Sequence, residues 1–161
     1  MVILGIDPGT ARTGYGVISS KNGTIEAVAY GCIKTDKDTP REQRLAILHR
    51  ALLEVIEEQR PDVMAQELLF FNKNTKTALL VGEARGVILL AAAQSSLPVK
   101  EYTPLQVKGS LAGYGRASKS DVKEVVKLHL GLEKIKGSDD VADALATALC
   151  HLFHLETGDI R

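Results

Sequence analysis

The chain has 161 residues, of which 45% are hydrophobic and 25% charged, and its formal net charge is zero. This length and balance suit one globular domain spanning 1–161 with a real core, and they argue against a disordered or membrane-bound chain. There is no secretory-signal pattern at the N-terminus, the longest apolar run (Val87 to Ala93) is too short for a bilayer, and Cys32 and Cys150 have no zinc-type or Cys-x-x-Cys spacing, so a cytoplasmic protein with reduced thiols is expected.

Taken in chain order, residues 2–7 read as a buried first strand that Asp7-Pro8-Gly9 ends with turn chemistry. After a loop over 10–14, a second strand is expected near Tyr15–Ser20. Asn22-Gly23 is a hairpin signal, so residues 24–35 should return antiparallel. Pro40 opens a helix to about Gln59, with Leu45, Leu48, Leu52, Val55 and Ile56 on one face. Pro61 then starts a strand that ends at Glu67. Residues 75–95 form the most apolar helix, hydrophobic around much of its circumference, so it needs more than one partner layer. Gly82 and Gly86 share one of its faces and would admit another backbone, either inside the monomer or from a second subunit. A short strand over Pro98–Tyr102 and helices near 104–112, 119–130 and 139–155 complete the chain. This order predicts an α/β fold, a mixed sheet flanked by helices.

Acidic residues stand at the ends of these segments. Asp7 and Glu67 each close an apolar strand, and Asp140 and Asp143 lie three apart near the start of the last helix. Each has an ordinary explanation: a strand-edge glutamate, or acids favoured at a helix N-terminus with Ser138 as cap. Asp143 fits that explanation least, because Val141, Ala142, Ala144, Leu145 and Ala146 around it read as core. Carboxylates beside apolar neighbours are costly unless compensated. If the fold gathers them, a hard divalent cation is the natural occupant, and metal-assisted phosphodiester hydrolysis the chemistry.

Rival motifs fare worse. Gly14-Tyr15-Gly16 lacks the third glycine and following helix of a dinucleotide fingerprint, and no Walker-type lysine loop exists. An actin-like phosphate loop after the first strand would need two such domains. Cys150, His151 and His154 have helical metal spacing, although core packing explains them better, and His49 and His129 read as surface residues. From Lys100 to Lys136 eight basic residues face four acidic ones, compatible with a solvated face or a nucleic-acid surface. Phe70-Phe71 is either core or an exposed ring that inserts between bases.

Together these segments resemble the RuvC-type Holliday-junction resolvases of bacteria over nearly the whole chain. The likeness rests on Gly5 to Val17, on Glu67 with Phe70, Lys73 and Asn74, on Gly82-Glu83-Ala84-Arg85-Gly86 with Gln106-Val107-Lys108, and on Asp140 to Ala146. The resemblance implies an RNase H-like fold with a mixed five-stranded sheet. It implies that Asp7, Glu67, Asp140 and Asp143 are the catalytic and metal-binding carboxylates, with Mg²⁺ (Mn²⁺ substituting) as two ions per site. Lys108, Lys119 and Phe70 would contact DNA. The implied activity is symmetric nicking of four-way junctions, leaving 5′-phosphate and 3′-hydroxyl ends. A homodimer, and branch-migration partners of the RuvA and RuvB type, are implied as well. The alternatives are a related RNase H-like nuclease acting on RNA and a junction-binding protein that does not cut. Asp139 departs from the pattern by adding an acid beside the final pair, and with the chain ending at Arg161 no longer family tail is expected.

Overall fold

A computed structural model describes residues 1–68, 75–113 and 115–158, the side chains of 75–77 aside. Five strands form one sheet: β1 (Val2–Asp7), β2 (Arg12–Lys21), β3 (Thr24–Lys34), β4 (Val63–Glu67) and β5 (Val99–Tyr102), in the order β3-β2-β1-β4-β5. β1, β2 and β3 pair antiparallel, whereas β4 runs parallel to both β1 and β5. The sheet is therefore mixed, as the element order predicts. Asn22 (φ 53°) and Gly23 (φ 79°) make the β2–β3 turn, both with the positive φ that a two-residue hairpin requires.

The helices are α1 (Arg41–Gln59), α2 (Thr75–Gln94), α3 (Pro104–Ala112), α4 (Lys119–Leu130) and α5 (Asp139–Thr157). Alternation along the strands sends side chains to two separate cores. Leu4, Ile6, Val17 and Met64 meet Leu48, Leu52 and Ile56 of α1 and Ala84, Ile88 and Ala91 of α2. On the other face Ile3, Ile18, Val63 and Ala65 meet α3, α4 and α5 through Val107, Val122, Val126, Leu145 and Leu149.

One boundary differs from expectation. β2 begins at Arg12, three residues before Tyr15, because Asp7 pairs with Gly14 and Thr13 with Ile33. The residues between Asp7 and Arg12 turn more tightly than the glycine-rich loop suggests. Thr13 Oγ1 donates to the Gly9 carbonyl at 2.8 Å, and Arg44 of α1 donates to the Thr10 carbonyl at 2.9 Å.

α5 packs on the sheet backbone to backbone. A Cβ at Gly5 would lie 2.0 Å from the Ala144 carbonyl oxygen, and one at Gly14 2.0 Å from that of Asp140. At Gly16 a Cβ would meet Leu145 Cδ2 at 2.6 Å. Gly5 pairs with Gly16 and Asp7 with Gly14, so these positions line one face of the β1–β2 ladder. Only residues without a side chain permit that approach.

Candidate active site

Asp7 follows Ile3 and Gly5 on the face that α5 covers, and Glu67 follows Val63 and Ala65 on the same face. Both stand at the carboxyl ends of adjacent parallel strands, because Ile6 pairs with Gln66. α5 enters over that end of the sheet, with Asp140 stacked on Gly14 beside Asp7 and Asp143 one turn further on.

The electrostatics record the convergence. Burial pushes the Asp7 carboxyl up to about 8, and the charges of Glu67, Asp143 and Asp140 push it the same way, while Lys119 pulls it down. Burial and the Asp143 charge likewise raise Glu67, against the lowering pull of Lys119 and Lys108. Four acids from three distant stretches of sequence thus act on one another, and the two lysines face the same spot. A cleft lined by Glu67, Pro104, Val107, Lys108, Lys119, Val122 and Asp143 opens there.

Each wall has its own local cause. α3 starts with a capping box between Thr103 and Gln106, which places Lys108 on the cleft. α4 starts with a second box between Ser118 and Asp121, so Lys119 is its first residue. The Lys119 Nζ donates to Asp143 Oδ2 at 2.9 Å. Ser138 lies at the N-cap of α5 as expected, but its hydroxyl makes no cap bond and donates instead to Asp140 Oδ2 at 2.7 Å. Asp139 pairs with a different lysine: its side chain is 75% exposed and accepts from Lys123 at 3.3 Å.

As an ion site the cleft fits in its donor chemistry, because hard carboxylate oxygens that repel one another are what a divalent cation would relieve. Among the described residues no three acidic, histidine or cysteine side chains are yet closed around a single point. Phe70, Phe71, Lys73 and Asn74 lie outside the described residues.

Other sequence candidates resolve into packing. Cys150 is buried, with its thiol pushed up to about 11, and His154 Nδ1 faces the Cys150 carbonyl at 2.8 Å. His151 is buried against the Tyr102 hydroxyl at 2.6 Å, and burial lowers its pKa. His49 lies on the surface of α1, where its Nε2 meets Gln94 Oε1 of α2 at 2.7 Å. The periodicity of α1 and α2 could have hinted at that pair. Nothing in the sequence marked Arg44, which holds the loop after Asp7.

The family model described as crossover junction endodeoxyribonuclease RuvC matches residues 3–151. The chain is 54% identical over 151 residues to the crossover junction endodeoxyribonuclease RuvC of Desulforamulus reducens, covering 94% of this chain and 93% of that one. It is 56% identical to the protein of the same name from Moorella thermoacetica, covering 94% and 90% respectively. Among solved structures, RuvC of Thermus thermophilus in complex with Holliday junction substrate superposes with a TM-score of 0.93 at 38% identity, over 98% of this chain and 96% of that one. The mixed sheet and its helices are thus RNase H-like, as the sequence suggested.

Proposed function

The chain belongs to the RuvC family of crossover junction endodeoxyribonucleases, and we propose that it resolves four-way DNA junctions by paired symmetric nicks with Asp7, Glu67, Asp140 and Asp143 as its catalytic carboxylates. The observation that carries this reading is the convergence of Glu67, Asp143 and Asp140 on Asp7, whose carboxyl their charges raise, beside a cleft flanked by Lys108 and Lys119. Both relatives named above are endodeoxyribonucleases by name, and the Thermus protein holds a Holliday junction.

The four carboxylates would hold divalent cations, two Mg²⁺ or Mn²⁺ per site. When bound, these supply a water acidic enough to attack at neutral pH and neutralise charge on the leaving 3′ oxygen. The chain's own residues do the rest. Asp7 stands in the field of Glu67, Asp143 and Asp140 and would be one of the ligands. Lys108 and Lys119 stand where a phosphate would enter, so they orient it by charge and offset the cost of bringing an anion to an acidic site. Val107, Val122 and Pro104 form the dry wall that lowers local screening. The products are a 5′-phosphate and a 3′-hydroxyl. Phe70, which follows β4 by three residues, is the proposed aromatic contact to the junction.

Two cuts on opposite strands of a nearly two-fold substrate need two equivalent sites, so the working form is a homodimer. α2 supplies the face: Leu79 is 61% and Leu90 51% exposed, and the Cβ positions of Gly82 and Gly86 look into open space. Single-domain organisation over 1–161, cytoplasmic residence and coupling to branch-migration proteins of the RuvA and RuvB type complete the proposal. No helix of the described residues is long and apolar enough to cross a membrane.

Labelled mobile and immobile four-way junctions, incubated with and without Mg²⁺ and mapped on all four strands, test this directly. Symmetric, Mg²⁺-dependent nicks with ligatable ends are expected. Tight binding without nicking, or preferential cutting of RNA-containing duplex, would refute it.

A further inference from the structure

The Lys119–Asp143 pair joins two groups of unequal freedom. Lys119 begins α4, where the Ser118–Asp121 capping box fixes its backbone, yet its side chain is 73% exposed. Asp143 lies inside α5 and its side chain is 30% exposed. The ammonium can swing into solvent at little cost, whereas the carboxylate is tied to its helix. One turn along, Lys123 Nζ meets Asp139 Oδ1 at 3.3 Å, and Val122 and Val126 of α4 share a buried cluster with Leu145 and Leu149 of α5, so the packing of the two helices does not rest on Lys119. Lys108 lines the same cleft but makes no ion pair among the described residues.

Resting on the cation-binding reading of the cleft, we propose that Lys119 is a built-in competitor for the divalent cation: its ammonium occupies Asp143 Oδ2 while no DNA is bound, and an incoming phosphate draws it off, so that metal and junction bind cooperatively. The ammonium, at 2.9 Å, and a Mg²⁺ ion, which would bind at about 2.0–2.1 Å, seek the same carboxylate oxygen, and one lone-pair direction cannot serve both. A phosphate offers the lysine a replacement partner and leaves Asp143 free. Lys119 is then a positioning residue twice over, for the carboxylate before DNA arrives and for the phosphate afterwards. Linkage is reciprocal, so junction DNA tightens metal by the same factor by which metal tightens DNA. The exposed pair is weak, so the handicap it places on the cation is modest, about three- to tenfold in Kd.

The test is Mn²⁺ binding to the full-length, DNA-free protein, followed by the electron paramagnetic resonance of the free ion. Lys119→Met is compared with wild type, and Lys108→Met and Lys123→Met serve as controls that each remove one positive charge nearby. Circular dichroism confirms that every variant is folded. Lys119→Met is expected to bind Mn²⁺ about three- to tenfold tighter, the controls should stay within about twofold of wild type, and Lys119→Arg should match wild type. A charged but non-hydrolysable junction should tighten Mn²⁺ in wild type and have little effect in Lys119→Met. Equal affinity in Lys119→Met and wild type, or the same gain in Lys108→Met, overturns the inference while leaving the cation site standing. Absence of Mn²⁺ binding in every protein overturns both.

Discussion

At Asp7 a carboxyl removed from water sits in the field of Glu67, Asp143 and Asp140, and its pKa rises from 3.8 to about 8. A raised acid binds its proton more tightly in the folded than in the unfolded chain. Between about pH 4 and pH 8 the folded state therefore holds the extra proton. Metal-free stability must fall as pH rises through that window, then level off above it. Replacing Asp7 by Asn removes the charge and with it Asp7's share of the slope, while the share of the raised Glu67 remains. The variant should be more stable than wild type at pH 8 without metal, by about 1–3 kcal/mol, and indistinguishable near pH 4. It should also lose cleavage while still binding the junction. Thermal melts at both pH values and a gel-shift assay check each part, and a wild-type pH slope in Asp7→Asn would place the coupling elsewhere. Gln66, which pairs with Ile6 across the β1–β4 ladder, is wholly buried, and among the described residues neither of its side-chain polar atoms has a hydrogen-bond partner.

At the scale of elements, the site depends on how closely α5 can approach β1 and β2. Gly14→Ala would drive a methyl to 2.0 Å from the Asp140 carbonyl oxygen, and backbone cannot yield as a flexible side chain does. The expected cost is about 1–3 kcal/mol of stability. A loss of cleavage exceeding tenfold, with junction affinity nearly intact, should follow as Asp140 and Asp143 shift away from Asp7. Unchanged kcat in a folded Gly14→Ala protein would show that α5 tolerates displacement. Much of this layout was legible in advance. Periodicity located α1, α2 and the strands, Asn22-Gly23 gave the hairpin, and the spacing of Asp140 and Asp143 gave a shared helix face. The start of β2 was not, because the pairing of Arg12 to Gly14 depends on partners in β1 and β3 rather than on local pattern. Gly5, Gly14 and Gly16 could be seen as glycines but not as the floor for a helix more than a hundred residues later. The Ser138 hydroxyl was expected to cap and instead holds Asp140, a choice between two acceptors that spacing leaves open.

Across the whole molecule, the sheet divides two cores of different purpose. The α5 side carries the carboxylates, with α3 and α4 presenting Lys108 and Lys119. The α1–α2 side buries Ala84, Ile88, Ala91 and Ala92 but leaves Leu79 and Leu90 exposed on α2. Isolated surface leucines are common, yet two on one helix with open glycines between them fit a closely approaching copy. Leu90→Asp should give a monomer by light scattering at micromolar concentration while preserving the fold. Such a monomer should nick one strand and release the junction unresolved, so linear duplex products should fall much further than total nicks. A dimeric Leu90→Asp protein would move the interface off this part of α2. The net charge is zero, so the sign of the surface toward DNA is set locally by the α3–α4 lysines rather than by the chain as a whole.

Asp7 is laid down in the first strand and Asp140 and Asp143 in the last helix, with every other element between them. A ribosome making this polypeptide at about 5–20 residues per second finishes the sheet before the final acids have left its exit tunnel. A chain still being translated therefore lacks two of the four carboxylates proposed for the site.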